Sequence, residues 1–227
     1  MSVRGKDVVV REIAEHQKKE HTMNDGRARI GEELKEVEIE GLVHKGVGQS
    51  HKQGPRIGTQ VTIRVATPGD GERLRGMFSR VSSETIYRRF LIPYRDVPER
   101  TLALMLGVDH HDKQSLVAVA DEEIVGHAMY VRLGDGTEAE MAIIVEDGWQ
   151  SKGVGKLLLS ELAQRARLRG IELFTGEVLG ENRRMLGLVA MFAGTGCTIE
   201  DGLCHVRMPL RTPEPTAYTA QTLRRAA

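Results

Sequence analysis

Val145-Glu146-Asp147-Gly148-Trp149-Gln150-Ser151-Lys152-Gly153-Val154-Gly155-Lys156 is the stretch on which the fold turns. It joins a strand-like run, Glu138 to Val145 (EAEMAIIV), to the most regular helical run in the chain. In that helix Val154, Leu157, Leu158, Leu162 and Ala166 recur at helical spacing through Arg169, and Gly170 fits a C-terminal stop. Two glycines spaced by one residue open it. Glycine lets the chain turn tightly and lets an anion approach the backbone N–H groups. The helix dipole adds partial positive charge there, and Lys152 and Lys156 add full charges beside it. A phosphate-bearing ligand is the natural guest. The same spacing also serves as a plain strand-to-helix turn. It is not a dinucleotide fingerprint, because Leu158 stands where a third glycine would fall, and it is not a Walker A loop.

Upstream of the strand, Ser115 to Ala120 and Glu123 to Leu133 read as two more strands joined by an acidic turn, so three strands form an antiparallel meander. Before them come a strand at Val61 to Ala66 and three short helices. The first follows Pro68 and runs through Met77 and Phe78, the second is Ser83 to Phe90, and Pro98 opens the third. Downstream of the long helix lie a strand at Ile171 to Val178 and an amphipathic helix at Glu181 to Ala193. A terminal hairpin, Cys197 to Glu200 with Leu203 to Leu210, turns at Asp201-Gly202. The order predicts an α/β mixed sheet with helices on it, not an all-parallel doubly wound one.

Aromatic residues set the expected boundaries. None of the nine lies in residues 1–60, and eight fall between Phe78 and Phe192. Aromatics bury more area than most side chains. The chain therefore divides into a weakly folded N-terminal extension and linker (1–60), a globular domain (61–210) and a tail (211–227). Within the extension, residues 8–20 could form a short helix and 36–43 an edge strand. The 227 residues carry 32 basic and 32 acidic side chains, so a binder dominated by nucleic-acid phosphates is not expected. No run reaches the ~20 apolar residues of a membrane span, and two cysteines fit a reducing compartment. A cytoplasmic protein, with both thiols reduced, is the expectation. Asp109-His110-His111-Asp112 reads as a solvated loop, and no metal is expected.

Gln150-x-x-Gly153-x-Gly155 resembles the pyrophosphate motif of the GNAT superfamily of acetyl-CoA-dependent N-acetyltransferases. Asn182-Arg183-Arg184-Met185 resembles the Asn-x-x-Met helix start of the same superfamily. The order of elements from Val61 to Leu210 matches the GNAT acyl-CoA N-acyltransferase fold. The resemblance implies acetyl-CoA as co-substrate. It implies that the backbones of Ile143, Ile144 and Val145 hold the pantetheine as an extra strand, where the fourth and fifth strands splay. The N–H groups of Ser151, Lys152, Gly153, Val154, Gly155 and Lys156, in the loop opened by Gln150, would hold the pyrophosphate. Asn182 would meet the pantetheine arm and Arg184 or Arg183 the nucleotide end. The superfamily's usual tyrosine seven residues after the Asn is here Val189, so a tyrosine acid is not expected.

An acceptor lysine is neutral in only a small fraction of molecules at pH 7, a penalty of about 4.6 kcal/mol. Attack on the thioester needs a base, typically a carboxylate whose pKa partial burial lifts toward ~6–7. Glu140 is the candidate, and Glu138, of the same strand parity, is the runner-up. The N–H of Val145 or Ile144 would hold the oxyanion. Within the superfamily the chain is most similar to bacterial protein-lysine acetyltransferases that modify acyl-CoA synthetases. That resemblance rests on Ser82 to Phe90, Ala139-Glu140 and the Tyr-less Asn helix. The function implied is acetyl transfer to a protein lysine. The rivals are a small amine or N-terminal acceptor, and a non-catalytic acyl-CoA sensor.

Overall fold

The computed structural model describes residues 59–210. The expected helix at 8–20, the edge strand at 36–43 and the tail from Arg211 lie outside them. Seven strands form one sheet: β1 (Thr62–Val65), β2 (Lys113–Ala120), β3 (Glu123–Arg132), β4 (Glu138–Val145), β5 (Leu173–Leu179), β6 (Gly196–Glu200) and β7 (Leu203–Pro209). Their order is β1-β2-β3-β4-β5-β7-β6. Every pair is antiparallel except β4 with β5. The α/β mixed sheet of the sequence reading is therefore present.

Among the described residues five helices flank the sheet: α1 (Gly71–Arg80), α2 (Ser83–Phe90), α3 (Glu99–Leu106), α4 (Val154–Leu168) and α5 (Arg183–Val189). Helix α4 is the crossover between the two parallel strands, which need a helical connection to run the same way. It packs on one face of β1 to β4. Val154, Leu158, Leu159, Leu162, Ala163 and Ala166 are buried there against Leu116, Ala128, Tyr130, Ala139 and Met141. A side chain at Gly126 would come within 3.0 Å of Leu158, so glycine lets the start of α4 lie close on β3. Leu157, expected on the inner stripe, is 50% exposed, and Leu159 takes its place. The end of α4 is a paired cap: Gly170 donates to the Arg167 carbonyl and Ile171 to that of Ala166. Gly170 sits at φ 76°, which only glycine adopts cheaply.

On the opposite face, α1 packs over β3 and α2 over β4. Phe90 stacks between Phe78, at 5.9 Å, and Tyr94, at 5.3 Å. His127 of β3 is fully buried there, and its Nε2 shares a hydrogen bond with Ser115 Oγ at 2.8 Å. Burial, and next the positive Arg89, push its pKa down to about 3, so it is neutral.

Most element bounds shift by a residue or two from expectation, and two of the differences lie beside the site. The strand expected at Ile171 to Val178 runs from Leu173 to Leu179. The helix expected over Glu181 to Ala193 is only Arg183–Val189. Thr195 ends it early, because its Oγ1 donates to the carbonyls of Val189 and Phe192, and Gly194 follows the chain at φ 79°. The cysteines also differ. Cys197 and Cys204, on facing strands with Cα atoms 5.5 Å apart, are bonded as a disulfide, not two free thiols.

Candidate active site

The seam between β4 and β5 organises the site. Their ladder has three pairs, Glu138 with Leu173, Ala139 with Phe174 and Glu140 with Thr175. Beyond Glu140 the pairing stops, although β4 continues for five residues, still paired with β3. Strand parity decides which backbone groups this leaves on the seam. The Glu138 carbonyl accepts from Leu133, and Glu146 N donates to the Val125 carbonyl, so even-numbered residues turn their main chain toward β3. Odd-numbered residues turn theirs toward β5. Gly176 still lies against the Met141 carbonyl, where a side chain would come within 3.1 Å. Ile143 and Val145 stand beyond it. Ile144, expected to share their task, turns its carbonyl to β3, close to Gly126.

Glu140 is the last β4 residue of the ladder, at the vertex where the strands part. It is buried, on the face covered by α1 and α2 rather than α4. Glu138, two residues earlier, is half-exposed and pairs with Arg207 at 2.9 Å. The two carboxylates share a strand face and differ in setting. Burial separates them: Glu140 is shielded from bulk water and Glu138 is not, which favours the buried one as a base.

Past the end of β4 a 3-10 turn, Asp147–Trp149, leads to the glycine loop, and Trp149 is buried in the main core. Ser151 and Gly153 both adopt positive φ, 59° and 88°. Gly153 is the N-cap of α4 and has no side chain to bond the first-turn N–H groups of Val154, Gly155 and Lys156. Those donors, with the dipole behind them, form an anion nest. The second glycine has another reason. A Cβ at Gly155 would lie 3.3 Å from Leu188, so it lets α5 close against the loop.

Three side chains of the expected set are turned to internal tasks. Gln150 Nε2 donates to the Val145 carbonyl at 3.0 Å and to Thr85 Oγ1 at 3.2 Å, while its Oε1 accepts from Arg184 at 2.8 Å. Lys152 Nζ donates back to the Gly148 carbonyl. Asn182 Oδ1 caps α5 by accepting from Met185 N at 3.2 Å, which leaves the amide NH₂ as its donor. Lys156 is exposed at the loop.

Three residues outside the expected set also shape the loop. Asp147 accepts from Ser82 N, Ser82 Oγ and Thr85 Oγ1 at 2.8, 2.8 and 2.9 Å. Burial pushes its pKa up, but these hydrogen bonds outweigh that and hold it below the usual range. Ser82 with Thr85 three residues on was a readable helix-start signal; Asp147 carried none, because its partners are 62 to 65 residues away. Among the described residues there is no cluster that could hold a metal, and no helix is long and apolar enough to cross a membrane.

A sheet that opens between two parallel strands, with a glycine-opened helix start beyond the opening, is the architecture expected of an acyl-coenzyme A-dependent N-acyltransferase. The profile of the Acetyltransferase (GNAT) family matches residues 82–193. The solved GNAT domain of S. lividans PAT is 30% identical, with a TM-score of 0.62, over 69% of this chain and 99% of that one. The chain belongs to the GNAT family of acetyltransferases. Acetyltransferase Pat of Mycolicibacterium smegmatis is 34% identical over 57% of this chain, and the match spans 40% of that relative's length. yncA of Salmonella typhimurium, solved with its cofactor acetyl-CoA, is 22% identical with a TM-score of 0.55 over 69% of this chain and 98% of that one; it shows the shared fold. The chain carries an acetyltransferase domain, and acetyl-CoA is the co-substrate that membership of the family implies. The residues present fit that molecule: the Ile143 main chain and the Val145 N–H on the edge for its amide-bearing arm, the Val145 carbonyl being taken by Gln150, and uncapped N–H groups at 154–156 for its phosphates.

Proposed function

We propose that this enzyme acetylates a lysine side chain of a protein substrate, with Glu140 as general base. The carrying observation is the line formed by three features: the buried Glu140 at the vertex, the freed β4 edge beyond it, and the anion nest beyond that. With phosphates at the nest and the arm along Ile143 and Val145, the thioester end points back toward Glu140. There Glu140 takes the proton from the incoming ammonium, removing the penalty of about 4.6 kcal/mol for a neutral amine at pH 7. Val145 N–H lies on the seam and is the oxyanion donor in this reading; Ile144, turned to β3, is not.

Around this line, Ser151 to Lys156 give main-chain donors to the pyrophosphate, and Lys152 and Lys156 add charge. The Asn182 amide donates to the arm. Arg184 is held by Gln150 beside the loop, near the nucleotide end. A protein acceptor is supported by the resemblance of residues 82–90 and 139–140 to protein-lysine acetyltransferases. It is also supported by access. Thr175, Glu177, His205 and Arg207 share the Glu140 face of β5 and β7 and are at least partly exposed. An acyl-CoA synthetase is the substrate class this resemblance favours.

The test is mass spectrometry of a lysate incubated with isotope-labelled acetyl-CoA, with and without the protein. Label on lysine side chains of a few proteins, an acyl-CoA synthetase among them, is the expected result. Label confined to small amines or N-termini would overturn the lysine acceptor. Binding of acetyl-CoA without transfer to any amine would overturn catalysis in favour of a sensor.

A further inference from the structure

Gln150 opens the phosphate motif, yet its side chain is committed within the protein. Both amide donors and the carbonyl are engaged, on Thr85, Val145 and Arg184. It is therefore a strut that joins helix α2, the end of β4 and helix α5, while the loop's main chain remains for the ligand. The strut rests on one hydroxyl. Thr85 is buried in the first turn of α2. Its Oγ1 donates to Asp147 at 2.9 Å and accepts from Gln150 at 3.2 Å, so its donor and at least one acceptor position are used. Asp147 precedes the glycine loop and also anchors Ser82, the N-cap of α2, through both N–H and hydroxyl. The loop and the start of α2 thus share one polar junction, although 62 to 65 residues separate them. Helix α2 covers β4 on the Glu140 side, where an acceptor arrives.

We infer that Thr85 is a positioning residue that couples the coenzyme loop to helix α2, so that holding the coenzyme at 151–156 also orders the acceptor side of the site. The inference rests on that loop being the phosphate site. A rigidified loop fixes Gln150 and Asp147, these fix Thr85, and Thr85 fixes the first turn of α2. By linkage, an ordered α2 raises the loop's affinity by the same factor.

The test is hydrogen exchange of the full chain with and without acetyl-CoA, together with calorimetric acetyl-CoA binding. In the wild type, acetyl-CoA slows exchange at 151–157 and also at 82–90. Thr85→Val keeps the shape and removes the hydroxyl. It retains the slowing at 151–157, loses that at 82–90, and binds acetyl-CoA about tenfold more weakly, the scale of one hydrogen bond. Thr85→Ser restores both within about threefold. Should Thr85→Val fail to fold, Gln150→Ala breaks the same link while leaving Asp147 to cap α2, and the same losses are expected. A folded Thr85→Val or Gln150→Ala that keeps wild-type affinity and α2 protection overturns the coupling. A wild-type chain whose loop acetyl-CoA does not protect overturns the phosphate site, and the coupling with it.

Discussion

The two halves of the sheet are built for different ends. From β1 to β4, all pairs are antiparallel, helix α4 covers one face, and α1 and α2 lie on the other. The buried side chains of that half are mostly apolar, and its buried histidine is held neutral. In the other half, β6 is exposed along its whole length, and β5 and β7 keep charged residues on the Glu140 face. Burial stabilises; it also removes groups from reach. The reaction site we propose lies where the well-packed half ends. There one strand has a rigid partner on one side and an unpaired edge on the other. Glu140 belongs to both halves, held by β3 and by the last pair with β5.

If that division is right, substitutions at the seam change turnover and those in the packed half change stability. The largest effect is expected at the vertex. Glu140→Gln is nearly isosteric and should lower kcat by about 10²–10⁴-fold while leaving the acetyl-CoA Kd and thermal midpoint near wild type. Undiminished turnover would remove Glu140 from the chemistry and break the comparison at its centre.

His127 tests the packed half. Its folded pKa, about 3, lies below the unfolded value of about 6.5, so the unfolded chain binds the extra proton between them. The stability this group confers is full above pH ~6.5 and is lost as pH falls toward 3. Its share of the slope is about 1.4 kcal/mol per pH unit. Denaturant titrations at several pH values should show that slope shallower by this amount in His127→Gln, with unchanged acetyl-CoA affinity at pH 8. An identical slope in the variant would show that another group carries the acid sensitivity.

The smallest effect sharpens the contrast between neighbours on one strand. Glu138→Gln removes a carboxylate from an exposed pair with Arg207, worth about 0–1 kcal/mol. Both its stability and its kcat should stay within a few-fold of wild type. A loss of kcat as large as that of Glu140→Gln would transfer the base to Glu138.

Much of this architecture was legible along the chain. The strand parity of Glu138 and Glu140, the glycine pair and the helical spacing after it are short-range patterns, and they located the meander, helix α4 and the loop. Helix α5 was read too long because its stop is a Thr195 side chain folding back on the chain, and not a residue type that breaks helices. Leu157 was read as inner because three successive leucines, 157–159, lie near the same stripe; which two are buried depends on the rotation of α4 over β3. The cysteines looked like separate thiols until the hairpin register brought them together.

By itself, the sequence determined which elements form, in what order, and which junction is a glycine-opened helix start, because capping, periodicity and glycine freedom act within a few residues. Tertiary structure alone decided which backbone groups of β4 face the seam, since that parity follows from its register against β3. It also decided that Gln150 is a strut resting on Thr85 and Asp147, because hydrogen bonds between residues more than 60 apart exist only once the helix and the loop have been packed side by side.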